Sequence, residues 1–110
     1  MSNTYWLNGK YIQKEDAYVS PLTHTLHYGL GAFEGVRSYI AHDEKSVNIF
    51  RLKEHTERLF ESAKIINVAI NHSIDEVMDA QLGVIKKSQL HDAYISCLLY
   101  TSDAADDMQC

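Results

Sequence analysis

The run of residues 27–37 constrains the fold of this chain most, because three glycines, Gly29, Gly31 and Gly35, fall within seven residues. It leads into residues 33–40, where aromatic and β-branched side chains predict a β-strand. Glycine is favoured where the backbone adopts a positive φ or lies close to a ligand or another chain. The run therefore suits the wall of a small-molecule pocket, although an ordinary glycine-containing loop before a core strand is the commoner explanation.

Turn patterns predict antiparallel hairpins on both sides of this run. Asn8-Gly9 lies between short segments of aromatic and β-branched residues, which is typical of a two-residue type I′ turn. Polar residues 41–46 separate the strand predicted above from a partner strand at residues 47–50. Residues 93–95 open a further strand near the end of the chain.

Two helices are predicted between these strands. Residues 52–66 have apolar side chains at helical spacing, with charged side chains between them. Ser73 followed by Glu76 forms a capping box, which predicts a helix over residues 74–89. The expected buried stripe of this second helix consists of Ile74, Met78, Leu82 and Ile85. The predicted fold class is therefore α+β, a small antiparallel sheet with two helices.

Length and composition indicate one small soluble globular domain, with 110 residues, 45% hydrophobic and 23% charged. The net charge of −5 and the scattered basic residues argue against a nucleic-acid partner. No apolar run approaches the roughly 20 residues of a membrane span, and the N-terminus lacks the form of a signal peptide, so cytoplasm is the default location. Cys97 and Cys110 lie near the C-terminal end and suggest no disulfide framework.

The sequence contains no recognisable metal motif. His24 and His27 have a spacing that occurs in metal sites, but no cysteine or carboxylate cluster in the sequence completes one. HExxH, CxxC, the Gly-x-Ser-x-Gly elbow and the phosphate-binding P-loop are also missing from the sequence. We therefore expect no metal site.

Two short motifs carry a family resemblance, namely His27-Tyr28-Gly29 and Phe33-Glu34-Gly35-Val36-Arg37. They resemble the small N-terminal domain of the class IV, pyridoxal-phosphate-dependent aminotransferases, and within that group the branched-chain amino acid aminotransferases most closely. The resemblance extends over residues 5–95 and covers only about the first third of a full-length member. Relatives acting on D-amino acids or aminodeoxychorismate typically have an acidic residue between the two loop glycines and lack this combination.

The resemblance implies that Arg58 binds the phosphate of pyridoxal phosphate. Arg58 matches the second arginine of the family pattern Arg-x-x-x-His-x-x-Arg-Leu, here residues 51–59. A guanidinium suits this role because its planar fork meets phosphate oxygens through paired hydrogen bonds and remains charged. The plainer interpretation is a solvated arginine that pairs with Glu54 or Glu61 at helical spacing.

The resemblance also implies four substrate-binding residues, Phe33, Gly35, Tyr28 and Tyr94. Phe33 would form an aromatic wall that favours apolar side chains, and Gly35 would let substrate approach the backbone. Tyr28 matches a tyrosine that reaches the neighbouring subunit's site in family dimers, and Tyr94 matches another pocket tyrosine. Without the resemblance, Phe33 and Tyr28 are core residues and Gly35 is a β-bulge. We assign no chemical step to Glu34.

Two features depart from a complete aminotransferase. The chemistry needs a lysine that forms a Schiff base with the cofactor, and in the family this lysine comes from the large C-terminal domain. None of the seven lysines of this chain matches it, so we expect no catalytic residue here. Bacterial branched-chain enzymes typically have an arginine after Ala-Tyr-Ile, which helps to bind the substrate carboxylate, whereas this sequence has Ser96.

A change in character near residue 95 suggests a domain boundary. We assign residues 1–95 to the small domain and interpret residues 96–110 as a non-native tail, because residues 101–110 lack strand alternation. Back-translated, residues 97–106 are compatible with TGT CTC TTA TAC ACA TCT GAC GCT GCC GAC, a string found in a common sequencing-library adapter. Adapter read-through at this junction would also turn an arginine codon beginning AG into the serine codon of position 96.

The function implied is that of a fragment of a branched-chain amino acid aminotransferase. The complete enzyme would exchange the amino group of leucine, isoleucine or valine with 2-oxoglutarate by ping-pong transamination, as a cytoplasmic homodimer or other homo-oligomer. The chain alone is expected to be inactive. The alternatives are a fragment of a D-amino acid transaminase or aminodeoxychorismate lyase, and a non-catalytic binding or dimerisation module.

Overall fold

The chain folds into an antiparallel sheet with two long helices packed on one face. The strands are β1 (Thr4–Leu7), β2 (Lys10–Gln13), β3 (Gly31–Ile40), β4 (Val47–Ile49), β5 (Ala93–Thr101) and β6 (Asp106–Gln109). The helices are α1 (His24–Tyr28), α2 (Leu52–Ile65) and α3 (Ile74–Ser88), with a short 3-10 helix at Lys14–Asp16. This computed structural model describes residues 3–101 and 106–110. The predicted α+β fold is confirmed.

Strand order places the N-terminal and C-terminal strands side by side. The described strands form one six-stranded sheet in the order β2-β1-β6-β5-β3-β4, and all pairs are antiparallel. The core lies between this sheet and the helices, where Leu59 of α2, Val77 of α3 and Leu99 of β5 are fully buried. In the described ranges, no helix is long and apolar enough to cross a membrane.

Both predicted hairpins form with the expected turns. Asn8 and Gly9 have φ values of 49° and 92°, and Leu7 pairs with Lys10 across this two-residue turn. In the β3–β4 loop, the Asp43 carboxylate accepts hydrogen bonds from the backbone N–H groups of Lys45 and Ser46. These bonds, the Lys45 bond first, lower the pKa of Asp43. The loop is thereby held by its own side chain.

Local signals also determine where α3 begins. The Ser73 side chain accepts a hydrogen bond from the Glu76 backbone N–H at 3.1 Å, as the capping pattern predicts. The buried side of α3 is nevertheless rotated from the predicted stripe, and it consists of Val77, Ala80, Gln81, Val84, Ile85 and Ser88. Leu82 is exposed instead. Gln81 can be buried because its side chain donates to Thr56 of α2 at 3.0 Å.

The C-terminal segment is part of the sheet. Strand β5 continues without interruption past residue 95, and β6 lies between β1 and β5. The expectation that residues 101–110 lack strand structure is wrong for Thr101, the last residue of β5, and for residues 106–109, while residues 102–105 lie outside the described residues. Cys97 and Cys110 are joined by a disulfide, contrary to expectation. The interpretation of residues 96–110 as non-native stays a prediction, because strand pairing does not reveal the origin of a segment.

Candidate functional site

Strand β3 presents two different faces. Its side chains alternate, so Glu34 points toward the helices while Phe33 and Gly35 belong to the opposite, open face. Phe33 is 69% exposed, which excludes the interpretation of this residue as core packing. Gly35 is not a β-bulge, because the pairing of β3 with β5 continues without a break from Phe33–Leu98 to Gly35–Ser96.

A buried carboxylate on β3 holds Arg58 of α2. The Nε of Arg58 donates to Oε2 of Glu34 at 2.8 Å, and Nη2 donates to Oε1 at 2.5 Å. Nδ1 of His55 lies 3.1 Å from the same Oε1 and donates to it, because an ionised carboxylate only accepts. The partner of Arg58 is therefore Glu34, not Glu54 or Glu61 as the plainer interpretation assumed.

Hydrogen bonding controls the ionisation of this cluster. The Arg58 hydrogen bonds lower the pKa of Glu34 to about 2, against the opposing effect of burial, and the His55 hydrogen bond adds to the lowering. The same pair raises the pKa of Arg58. Glu34 is thus a carboxylate at any ordinary pH, although its side chain is only 10% exposed.

Arg58 keeps a free edge that fits a phosphate group. Its side chain is 65% exposed, and among the described residues the Nη1 group has no hydrogen-bond partner. The guanidinium is thus anchored along one edge and open along another. A planar fork fixed in this way can donate paired hydrogen bonds to an anion in solvent.

A shallow cavity between β3 and the C-terminal part of α2 is lined by Phe33. It has a volume of about 320 Å³ and is lined by Gly31, Ala32, Phe33, Ser62, Ile65 and Ile66. Arg58 lies one helical turn before Ser62 on α2, so both side chains project from the same side of the helix. Arg58 itself does not line this cavity, and its ion pair lies on the helix-covered face of β3.

Tyr94 lies over Gly35 on the open face. It pairs with Arg37 on β3, and its ring and hydroxyl occupy the space that a Cβ at position 35 would take. A glycine is therefore required for this arrangement. Phe33, Gly35 and Tyr94 accordingly form one continuous surface on the open face.

Tyr28 lies apart from these residues. It belongs to α1, which ends at Gly29 with a φ of 74°, and its side chain is largely exposed rather than in the core. Its ring centroid is 4.6 Å from that of His24. In the part of the chain that the structure describes, Tyr28 makes no hydrogen bond or aromatic ring contact with Phe33, Gly35 or Tyr94.

The histidines of α1 are engaged by protein groups. Nδ1 of His24 lies 2.9 Å from the Thr101 hydroxyl, and Nε2 of His27 donates to the Pro21 carbonyl at 2.7 Å. Within residues 3–101 and 106–110, no group of three or more His, Cys, Asp or Glu side chains is arranged to hold a metal ion.

Two residues of the cluster, Glu34 and His55, had no role assigned from the sequence. One available signal was their periodicity: Glu34 is an inward-facing position of β3, while His55 and Arg58 are three residues apart on one side of α2. A buried acid facing two potential cations predicts an ion-pair cluster.

Comparisons with known proteins show which family this chain is similar to. A profile of the family described as Amino-transferase class IV matches residues 31–109. The branched-chain-amino-acid aminotransferase of Escherichia coli (strain K12) is 45% identical over 98 residues, which is 89% of this chain and 31% of that protein. The Pseudomonas aeruginosa protein of the same name is 44% identical over 95 residues, or 86% of this chain and 30% of that protein.

Solved structures show the same relation. The Escherichia coli branched-chain amino acid aminotransferase superposes with a TM-score of 0.92 at 38% identity, covering 99% of this chain and 39% of that chain. The branched-chain aminotransferase of the archaeon Thermoproteus uzoniensis, solved with norvaline, has a TM-score of 0.90 at 30% identity, with 99% and 39% covered. The chain spans about a third of the length of the curated relatives that it matches. Sequence, fold and family profile together show that this chain belongs to the class IV aminotransferase family.

Proposed function

We propose that this chain is the small-domain part of a branched-chain amino acid aminotransferase. The observation that carries the proposal is the bidentate Glu34–Arg58 pair, which anchors a guanidinium beside the strand that bears Phe33 and Gly35. The names of its relatives supply the reaction class. In the proposal, the complete protein exchanges amino groups between leucine, isoleucine or valine and 2-oxoglutarate by ping-pong transamination.

Pyridoxal 5'-phosphate is the cofactor in this proposal, and when bound it supplies the electron sink that transamination requires. Arg58 would bind the phosphate through the edge of its guanidinium that Glu34 leaves open. The donor chemistry fits, because a fixed guanidinium binds phosphate oxygens in a bidentate manner. A related branched-chain aminotransferase has been solved with pyridoxamine 5'-phosphate, which is consistent with this assignment.

The open face of the sheet is the proposed substrate wall. Phe33 and Tyr94 present exposed aromatic surface, and Gly35 makes room for the Tyr94 ring to lie against β3. Such a wall favours apolar side chains over charged ones. Tyr28, on the separate helix α1, would contribute to the site of a neighbouring subunit in a homo-oligomer, and we place the complete protein in the cytoplasm.

Position 96 has a defined place in the proposed site. Ser96 pairs with Gly35, so its side chain also belongs to the open face. If the parent protein has an arginine at this position, its guanidinium would project onto the substrate wall and could bind a carboxylate. The lysine that holds the cofactor would come from the two thirds of the relatives' length that this chain does not match. The 110-residue polypeptide alone would then have no transaminase activity.

The test uses the complete parent enzyme, cloned from the source DNA and assayed with 2-oxoglutarate as amino acceptor. We expect turnover with L-leucine, L-isoleucine and L-valine, and little with D-alanine. Arg58→Lys should raise the concentration of pyridoxal phosphate needed for half-maximal activity, because a lysine cannot form the paired hydrogen bonds. A preference for D-alanine, release of pyruvate from aminodeoxychorismate, or an open reading frame that ends at Cys110 would each refute the proposal.

A further inference from the structure

The cluster of Glu34, His55 and Arg58 contains more than the proposed phosphate contact requires. A solvent-exposed arginine can bind phosphate without a partner, and an adjacent carboxylate even reduces its attraction for anions. Here a nearly buried glutamate takes two hydrogen bonds from that arginine. Burying a carboxylate is unfavourable unless its partners compensate, so this arrangement needs a physical reason.

Positioning provides that reason. Glu34 bonds Nε and Nη2 of Arg58, and this leaves Nη1 directed away from the carboxylate, with no recorded hydrogen bond among the described residues. His55 donates to the same oxygen, Oε1, that accepts from Nη2. Two side chains of α2 therefore bond the Glu34 carboxylate, whose own backbone is fixed in β3. A long arginine side chain that is 65% exposed would otherwise sample many rotamers.

We propose that Glu34, held by His55, is a positioning residue that fixes the Arg58 guanidinium in one orientation for a phosphate monoester. This inference rests on the proposed function, in which Arg58 binds the cofactor phosphate and no role is given to Glu34. The two ideas differ in the predicted effect of removing the negative charge. If Glu34 acts by orientation, its loss weakens phosphate binding; if it merely neutralises Arg58, its loss tightens binding.

The experiment measures inorganic phosphate and pyridoxal phosphate binding to the 110-residue chain through the arginine Nε–H signals in ¹H–¹⁵N spectra. In the unsubstituted chain we expect both ligands to shift the Arg58 signal saturably. Glu34→Gln, which preserves the side-chain shape, should raise both dissociation constants by roughly two- to tenfold, the factor for ordering one rotamer-rich side chain on binding. His55→Gln should have a smaller effect in the same direction.

A matched control is available on the same helix. Glu54 contacts Arg51 at 3.5 Å, and both side chains are largely exposed. Glu54→Gln removes one negative charge from α2 without touching the cluster, so it should leave the Arg58 response unchanged. An equal weakening in both variants would show a general charge effect and overturn the positioning role.

The outcomes separate the inference from the proposed function. Unchanged or tighter phosphate binding in Glu34→Gln overturns the positioning role but leaves Arg58 as the phosphate ligand. Failure of both ligands to shift Arg58 in the unsubstituted chain overturns the positioning role, and the activity assay of the complete parent enzyme decides the proposed function separately. If Glu34→Gln does not fold, ¹⁵N relaxation in the unsubstituted chain decides: Arg58 Nε should be as rigid as the backbone and Arg51 Nε mobile, and equal mobility of the two refutes the inference.

Discussion

At the residue scale, the Glu34 carboxylate connects β3 to α2 across 24 residues of sequence. Burial alone would raise its pKa, but the charged hydrogen bonds from Arg58 and His55 outweigh this effect and lower the pKa to about 2. Glu34 is therefore ionised in the folded state. The free energy of unfolding should therefore depend on pH through Glu34 and decrease as pH falls.

The pKa of Glu34 is about 2 in the folded chain, against an ordinary value of 4.5, so its contribution to stability is complete above about pH 5 and decreases as pH falls toward 2. The full shift corresponds to roughly 3 kcal/mol. Screening at the exposed guanidinium should reduce this to about 1–2 kcal/mol. Somewhat more than half of this contribution is lost between about pH 6 and about pH 3, because pH 3 still lies above the pKa of Glu34 in the folded chain. Urea unfolding at these two pH values should therefore show a difference that is smaller by about 1 kcal/mol in Glu34→Gln and unchanged in Glu54→Gln.

Gly35 gives a second prediction at the residue scale. Gly35→Ala places a Cβ where the Tyr94 ring lies, so the ring must move away from β3. The ring is partly exposed and can move, so the strain is modest. Gly35→Ala should lower the free energy of unfolding by about 0.5–1 kcal/mol less when Tyr94 is already alanine. A double-mutant cycle of unfolding free energies tests this, and strictly additive effects would contradict the observed contact.

At the element scale, β6 links the two halves of the sheet. It lies between β1 and β5, and reciprocal backbone hydrogen bonds join Trp6 and Cys110 at 2.8 Å. The pattern of a four-residue strand is too short to stand out in the sequence. Pairing with strands on both sides is what makes this segment a strand, and the β1–β2 hairpin depends on it for its place in the sheet.

Deletion of residues 106–110 should therefore abolish the cooperative unfolding transition, because the N-terminal hairpin loses its neighbouring strand. Cys110→Ser is the matched control, since it removes the disulfide but keeps β6. The two cysteines are 13 residues apart in sequence, so this substitution should reduce the free energy of unfolding by about 2–3 kcal/mol while the transition stays sharp. Circular dichroism during urea unfolding distinguishes the two variants, and a sharp transition in the deletion variant would contradict the structural role of β6.

At the scale of the whole molecule, the helices cover one face of the sheet and leave apolar side chains exposed on the other. Phe33, Tyr94 and Leu98 all belong to this open face. Contiguous apolar surface of this kind drives association in water. The isolated chain should accordingly associate as its concentration rises.

Leu98→Ser tests this expectation against a control of similar exposure. Leu98 on the open face is 43% exposed, and Leu82 on α3 is 46% exposed. Leu98→Ser removes one leucine side chain from the self-association surface, so it should raise the dissociation constant of self-association roughly tenfold. Leu82→Ser should change this constant little. Sedimentation velocity over a concentration series measures the effect. A monomer at every concentration, or an equal effect of both substitutions, would contradict the role of the open face.

The sequence by itself determined the kinds of elements and most of their order. Asn8-Gly9 specified a hairpin turn, Ser73 the start of α3, and alternation within residues 33–40 a strand. It also indicated Arg58, Phe33, Gly35 and Tyr94 as site candidates through the family resemblance. These signals were readable because turns, caps and periodicity arise from neighbouring residues, and their physical causes act within a few positions of the chain.

Only the tertiary structure decided which distant groups meet. It paired Arg58 with Glu34 rather than with Glu54 or Glu61, and placed Tyr94 over Gly35. It also exposed Leu82 on α3, where helical periodicity alone predicted a buried stripe, and inserted β6 between β1 and β5. Each outcome depends on packing between segments far apart in the chain, where burial and hydrogen bonding select one partner from several that local patterns allow.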